Sequence, residues 1–545
     1  MVPVIIDAVK TGAMKRVKFD WLWLIIGLAV VIRLIFLGLI NLLPEEAYYW
    51  NYAAHLDIGY LDHPPLTAWS IFLSEAIFGK SEFAVRFPAF LGWFLMAYFM
   101  YRFAENTIGK VAGKIVLLLL ALLPIYMSVG FLMTPDAPLY AFWAGALFFL
   151  ERAIIGERRS AWFGAGICLG LGLLSKYTMV LIIPAALIYL FVDKKSRQWL
   201  LRPYPYLALL IGLIFFFPVL YWNWQHHWAS FTFQGTQRWT GGLDFQLHIL
   251  IGSVLILLTP LGLFDAIRSL FGFWKNRMIS RQADQIQFRK KLFLAIFTLV
   301  PLAVFVIQSI QGQPKLNWTG PVWMAILPLI AVDISGFGKL VSQSEKSTIA
   351  LRWSVNIAGL LIFYTVGFGY LVIGMPGMAQ TGGMKFPIAW KMYGERVEKI
   401  ESKLEMETGS EPIIIGMDKY WLASEASFYD VEDSSVLQSI HGDRSLHDND
   451  RELLPEVAGE NLVGGNSLMW NFWISPQMTT GRNAVLVSFN REKLEKSWVM
   501  SHFTKLSEIS REMLMENGRE IGLFYWRTGY NYSPKLSGPK DDLKI

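Results

Sequence analysis

Apolar runs recur along the chain at 21–40, 86–104, 111–130, 137–155, 161–175, 177–192, 204–222, 246–266, 292–310, 320–334 and 350–375. That is about eleven runs, most of them near the roughly 20 residues that cross a hydrocarbon core as an α-helix. Backbone groups in lipid must be satisfied within their own segment, so such runs commit a chain to helices. The fifth, sixth and tenth are short, and Lys176 separates the fifth from the sixth. Mean hydropathy is +0.39 and only 17% of residues are charged, gathered between the runs. The reading is an α-helical polytopic membrane protein.

Loop charge orients the spans. With the basic N-terminus (Lys10, Lys15, Arg16, Lys18) inside, alternate connections carry Arg102, Lys110 and Lys114, then Arg152, Arg158 and Arg159, then Lys194, Lys195, Arg197 and Arg202. Later inward connections carry Lys275 to Lys291 and Lys339 to Arg352, whereas the first outward loop holds Glu45, Glu46, Asp57, Asp62, Glu75 and Glu82 against Lys80. This is the positive-inside pattern. Residues 1–20 then form a cytoplasmic N-terminus, 21–375 a multi-span domain with an outer loop at 41–85, and 376–545 a segment outside. The N-terminal charges lead into a full span without a small-residue cleavage site, unlike a cleaved signal peptide.

The composition of 376–545 shifts to charged runs, Glu395 to Glu407 and Asp430 to Asp450, with β-like pieces at Pro412–Gly416, Asn483–Phe489 and Ile521–Trp526. A small extracytoplasmic α/β domain is expected there. The single cysteine, Cys168, lies in an apolar run and excludes an intramolecular disulfide. The net charge of +6 resides in loops between spans, so it points to the membrane and not to nucleic acid.

Two stretches carry chemistry that a membrane connection does not need. Asn41 to Pro65 holds Glu45 and Glu46 after Pro44, then Tyr48, Tyr49 and Trp50, then Asp62-His63-Pro64-Pro65. Met133 to Pro138 places Asp136 between two prolines, which should keep it out of regular helix. The charge-derived topology puts Glu45 and Asp136 at the same face, as suits a general base and a carboxylate that orients it or the acceptor. Cations predicted at that face are His63, Lys176 in Leu174 to Thr178, Arg238 in the aromatic stretch Trp222 to Trp239, and Lys315 in Lys315 to Trp318. Lysines at membrane boundaries often snorkel, but cations facing paired carboxylates suit a lipid-linked phosphate. No His/Cys spacing suits zinc, and no Walker or Rossmann glycine pattern supports a soluble nucleotide donor.

Pro44 to Trp50, Gly59 to Leu66, Arg86-Phe87-Pro88 and Thr134 to Pro138 together resemble the family 39 glycosyltransferases of the GT-C superfamily, which include protein O-mannosyltransferase-like and aminoarabinose transferase-like enzymes. Ser175 to Thr178, Lys315 to Trp318 and Tyr420 to Tyr429 resemble the bacterial branch, so the resemblance runs along nearly the whole chain. It implies a GT-C type membrane enzyme taking sugar from a polyprenyl-phosphate donor at the outer face, with Glu45 and Asp136 as the acidic pair. It also implies that His63 stands where aminoarabinose transferase relatives have a phosphate-binding lysine. Two departures stand out: Glu45-Glu46 replaces the usual Asp-Glu, and His63 replaces that lysine.

The expected site is therefore Glu45, Asp136 and Glu46 as catalytic carboxylates, with His63, Asp62, Lys176, Arg238, Tyr48 and Lys315 binding substrate. Expected partners are the lipid-linked sugar donor, an acceptor glycan, lipid or protein, and membrane lipids. No metal ligands and no cofactor are assigned, and a divalent cation is left open. The rival reading, a transporter or flippase of a lipid-linked sugar, would place ionisable residues near the bilayer midplane in broken helices.

Overall fold

The computed structural model describes residues 19–235, 245–275, 284–310, 312, 317–335, 343–373, 388–429, 456–516 and 518–534. They fall into two compact units. The first comprises Met1–Leu37, Ile58–Thr67 and Arg86–Tyr364. The second comprises Gly38–Asp57, Ala68–Val85 and Thr365–Ile545.

The first unit is helical. Among the described residues six helices are long and apolar enough to cross a membrane: Leu22–Leu39, Glu82–Thr107, Tyr204–Gln225, Leu247–Lys275, Gln285–Gln308 and Ser347–Tyr370. Shorter apolar helices include Ala161–Ser175, Tyr177–Val192 and Gly320–Ser335. Every run read from the sequence carries helix, but not every run is one α-helix. The third divides into Lys110–Leu122 and Pro124–Ser128, because Pro124 has no N–H to continue the ladder. The tenth starts as a 3₁₀ segment, Gly320–Ile326. In the eighth, Thr259 leaves helical geometry (φ 66°) immediately before Pro260.

Glycines set the close packing that positions the site. Helix Ala161–Ser175 lies between Asp136–Ile154 and Tyr204–Gln225. A Cβ at Gly166 would come within 2.6 Å of the Ala208 carbonyl oxygen, and one at Gly170 within 3.2 Å of Gly212 Cα. Two glycines four residues apart thus let backbones touch, the usual device where lipid offers no hydrophobic drive between helices. Lys176 is carried at the end of this tightly held helix.

The second unit holds a six-stranded sheet built from β1 (Ile413–Gly416), β2 (Val457–Gly459), β3 (Ala484–Ser488), β4 (Phe503–Leu506), β5 (Ser510–Glu516) and β6 (Arg519–Tyr532). Strand order is β2-β1-β3-β6-β4, with β5 also paired to β6. β1 is parallel to β2 and β3, and β6 is antiparallel to its three partners. β1 and β3 are buried at every position, as strands covered on both faces must be. The β-like pieces expected from sequence correspond to β1, β3 and β6, and the charged run at 395–407 forms part of helix Ala389–Thr408. The charged run at 430–450 lies outside the described residues.

Part of the loop at 41–85 belongs to this second unit as helix Pro44–Ala54. Its buried face docks on helix Trp421–Tyr429: Asn51 Nδ2 donates to the Ser424 carbonyl at 3.3 Å, and the Tyr48 and Tyr420 rings stack at 4.4 Å.

Candidate functional site

In the first unit, Asp136 is the opening residue of helix Asp136–Ile154, after Pro135. It is therefore helical, unlike the expectation from its flanking prolines. Pro138 lies in the first turn, where a missing N–H removes no helical bond, and a carboxylate there meets the favourable end of the helix dipole. Lys176 sits where Ala161–Ser175 ends, with extended backbone (φ −157°, ψ 136°) that breaks it from the 3₁₀ turn Tyr177–Leu181. Its Nζ lies 2.8 Å from Asp136 Oδ1, and the two residues are 8% and 4% exposed. The second carboxylate oxygen accepts a hydrogen bond from Asn317 Nδ2. Both oxygens of Asp136 are thus engaged, and the carboxylate fixes an ammonium and an amide on separate elements.

Further polar contacts start at Tyr177, the residue after Lys176. The Tyr177 hydroxyl meets Ser230 Oγ at 2.6 Å, and Asn223 Oδ1 accepts from the Ser230 N–H at 3.1 Å and the Phe231 N–H at 3.3 Å. At the end of the same short helix, Ala229–Gln234, the Gln234 side chain donates to the Asp62 carbonyl. Asp62 is buried, His63 beside it is half-buried, and Gly59 leaves space for the Trp222 ring, whose atoms would lie 2.6 Å from a Cβ. The Ile58–Thr67 segment is thereby tied to the elements that carry Tyr177 and Lys176.

The structure joins Asp136 and Lys176 directly, and ties Asp62 through its backbone carbonyl to the short helix that bonds Tyr177, with His63 on the same segment as Asp62. Arg238 and Lys315 lie outside the described residues. Sequence reasoning did not assign Asn317, Tyr177 or Gln234. Asn317 and Tyr177 stand inside stretches singled out for their lysines, and Gln234 inside the aromatic stretch singled out for Arg238.

Glu45, Glu46 and Tyr48 belong to the second unit, where their surroundings differ. Glu46 is fully buried, and its Oε2 accepts the Leu43 N–H at 3.1 Å, satisfying a donor at the helix start. Glu45 is exposed and faces the Tyr420 hydroxyl at 3.5 Å. Tyr48 is buried, its hydroxyl accepting from the Met469 N–H at 3.1 Å. Among the described residues no three His, Cys, Asp or Glu side chains group as metal ligands.

An ammonium carries three donors, so one bond to Asp136 leaves Lys176 with capacity for an anionic ligand. The pair lies in a low-dielectric setting, where charge-assisted contacts are strongest.

A family profile described as dolichyl-phosphate-mannose-protein mannosyltransferase matches residues 62–222, which include Asp62, His63, Asp136 and Lys176. The lipid A galacturonosyltransferase RgtD of Rhizobium johnstonii is 25% identical over 321 residues, 58% of this chain and 63% of that protein. The undecaprenyl phosphate-alpha-4-amino-4-deoxy-L-arabinose arabinosyl transferase of Aeromonas hydrophila is 25% identical over 334 residues, 57% of each. The chain thus spans less than two thirds of the length of these relatives. The crystal structure of ArnT from Cupriavidus metallidurans in the apo state aligns over 93% of this chain and 98% of that one, with a TM-score of 0.59 at 15% identity. Its complex with undecaprenyl phosphate aligns over the same shares with a TM-score of 0.57. At that identity the likeness establishes the fold.

Proposed function

We propose, on the premise that this chain belongs to the GT-C superfamily of glycosyltransferases, that it moves a sugar from a polyprenyl-phosphate donor to an acceptor hydroxyl at the outer face of the cytoplasmic membrane. The observation that carries this reading is the buried Lys176–Asp136–Asn317 constellation. It offers a fixed ammonium with donors left over for a phosphate, as a lipid-phosphate donor requires. The reading also draws support from the relatives, whose names are those of transferases.

In this proposal Lys176 binds the donor phosphate, with His63, Arg238 and Lys315 as further cations, and Asp136 holds Lys176 in place. Asp62 and Tyr48 shape the substrate-binding surroundings. Glu45, the exposed member of its pair, takes the proton from the acceptor hydroxyl. The freed oxygen attacks the anomeric carbon as the bond from that carbon to phosphate oxygen breaks. The electron pair leaves with polyprenyl phosphate, and attack opposite the leaving group inverts the anomeric centre. Cations at the phosphate stabilise the charge that develops there. The C-terminal unit faces the periplasm or exterior, as the loop charges direct.

Purified protein incubated with a panel of polyprenyl-phosphate sugars and candidate acceptors should release polyprenyl phosphate with one of them. Binding without release across the panel would overturn the transferase reading.

A further inference from the structure

Arg33 lies in helix Phe19–Leu39, in the first apolar run, and is fully buried. A buried charge in a membrane helix normally marks a pathway or a paired site. Here all of its hydrogen bonds go to backbone carbonyls. Nη2 donates to Leu120 at 3.3 Å, Ala121 at 3.3 Å and Tyr126 at 3.4 Å, Nε donates to Met127 at 3.3 Å, and Nη1 donates to Ala29 at 3.2 Å. Its guanidinium also covers the Trp93 ring at 4.3 Å.

The reason lies in the break at Pro124. Proline offers no N–H to the Leu120 carbonyl, and Leu123 is extended (φ −69°, ψ 134°), so the last carbonyls of Lys110–Leu122 lose their helical partners. Unpaired carbonyls in an apolar setting are strongly unfavourable. Side chains from three other helices replace the missing donors: Arg33, Trp93 Nε1 on Leu120 at 3.4 Å, and the Tyr364 hydroxyl on Leu122. Arg33 alone reaches both sides of the break, because its donors are spread across a planar fork. Gly130 leaves room for it, since a Cβ there would stand 2.7 Å from Arg33 Nε.

From the break a short series of contacts leads to the site. The Tyr126 hydroxyl donates to the Gly320 carbonyl at 3.4 Å. The Tyr140 hydroxyl occupies the space a Gly320 side chain would take, 1.5 Å from its ideal Cβ position. The Gly320 N–H donates to the Asn317 carbonyl at 3.2 Å, and the Asn317 side chain donates to Asp136.

We propose that Arg33 is a positioning residue for the Asp136–Asn317–Lys176 constellation, acting as an intramembrane cap that fixes the break at Pro124 and, through Tyr126 and Gly320, the placement of Asn317. Its bearing on sugar transfer rests on the function proposed above, whereas its structural action does not.

The test uses the full chain in detergent with Arg33→Lys, which keeps the charge but loses the fork, and Tyr126→Phe, which deletes one hydroxyl. Tyr126→Phe keeps the proposal falsifiable if Arg33→Lys fails to fold. Amide hydrogen exchange over 129–137 and 317–321 should speed up in both variants, with the thermal midpoint nearly unchanged in Tyr126→Phe and lowered in Arg33→Lys; unchanged exchange in a folded variant overturns the proposal. On any donor that the wild type turns over, each variant should lower kcat about ten- to a hundredfold, as small misplacements do. Combined with Asn317→Ala, Arg33→Lys should add little further loss, and multiplied losses would make Arg33 a purely structural residue. A wild type that turns over no donor defeats the transferase reading, and the exchange measurement still decides the role of Arg33.

Discussion

Lys176 and Asp136 stand 40 residues apart in the chain, yet their side chains meet at 2.8 Å in a nearly buried position. The glycine contacts of helix Ala161–Ser175 make this meeting possible, because they bring its C-terminal end against its neighbours. The pair stays buried because each charge offsets the desolvation of the other.

Removing one partner leaves the other charge buried alone. Lys176→Met should therefore destabilise the fold by about 3–5 kcal/mol. Adding Asp136→Asn to Lys176→Met should restore part of that stability, since it neutralises the stranded carboxylate. Denaturant unfolding of the purified protein reads both. A double variant that loses the sum of the single losses would show that the pair is not coupled.

Glu46 and Glu45 should separate by the kind of damage their loss does. Glu46 is buried and caps the start of helix Pro44–Ala54, so Glu46→Ala should lower stability by about 1–3 kcal/mol through the unpaired Leu43 N–H. Glu45→Ala removes an exposed side chain whose contact is a 3.5 Å approach of the Tyr420 hydroxyl, and should leave the thermal midpoint nearly unchanged. Equal midpoint shifts in the two variants would contradict this assignment.

Much of this arrangement was legible in the sequence, for identifiable reasons. The apolar runs and Lys176 were legible because spanning length and an interrupting charge are local properties. The division of the third run was hidden by unbroken apolarity on both sides of Pro124. Asn317 pairs with a residue 181 positions away, and no local pattern encodes such a partner. Strand β2 has three residues, and β5 buries only Leu514, so neither shows the alternation that betrays a strand. The capping role of Glu46 was within reach, since an acidic residue three positions after Leu43 at a proline-led helix start is a known pattern.

Stability of the second unit should respond to pH through Glu460. Burial raises its pKa above the ordinary 4.5, a rise that the Lys493 ammonium opposes. A raised folded value means that the folded state holds the proton more tightly than the unfolded chain does. The contribution is complete below the ordinary value and is lost as pH rises through the raised one. Thermal midpoints between about pH 4 and pH 7 should show Glu460→Gln gaining on the parent as pH increases. A constant difference across that range would exclude Glu460 as the titrating group.

Loop charge predicts the orientation. A reporter that is active only outside the cytoplasm, fused after Ile545, should be active, and its cytoplasmic counterpart silent. The reverse result would require one span more or fewer than the charge pattern gives.

The acid–base proposal makes the sharpest demand. A neutral hydroxyl is a weak nucleophile, and a positioned base contributes on the order of 10²–10⁴-fold. Glu45→Gln retains an oxygen that can accept from Tyr420 but removes the basic carboxylate, so turnover should fall by about that factor while the protein folds and binds donor. Asp136→Asn acts differently, since it withdraws the charge that holds Lys176, and it should weaken donor binding together with turnover. If both residues serve one step, the double variant should lose much less than the product of the single losses. Full turnover in Glu45→Gln/Asp136→Asn would remove the base from the mechanism and return transport to consideration.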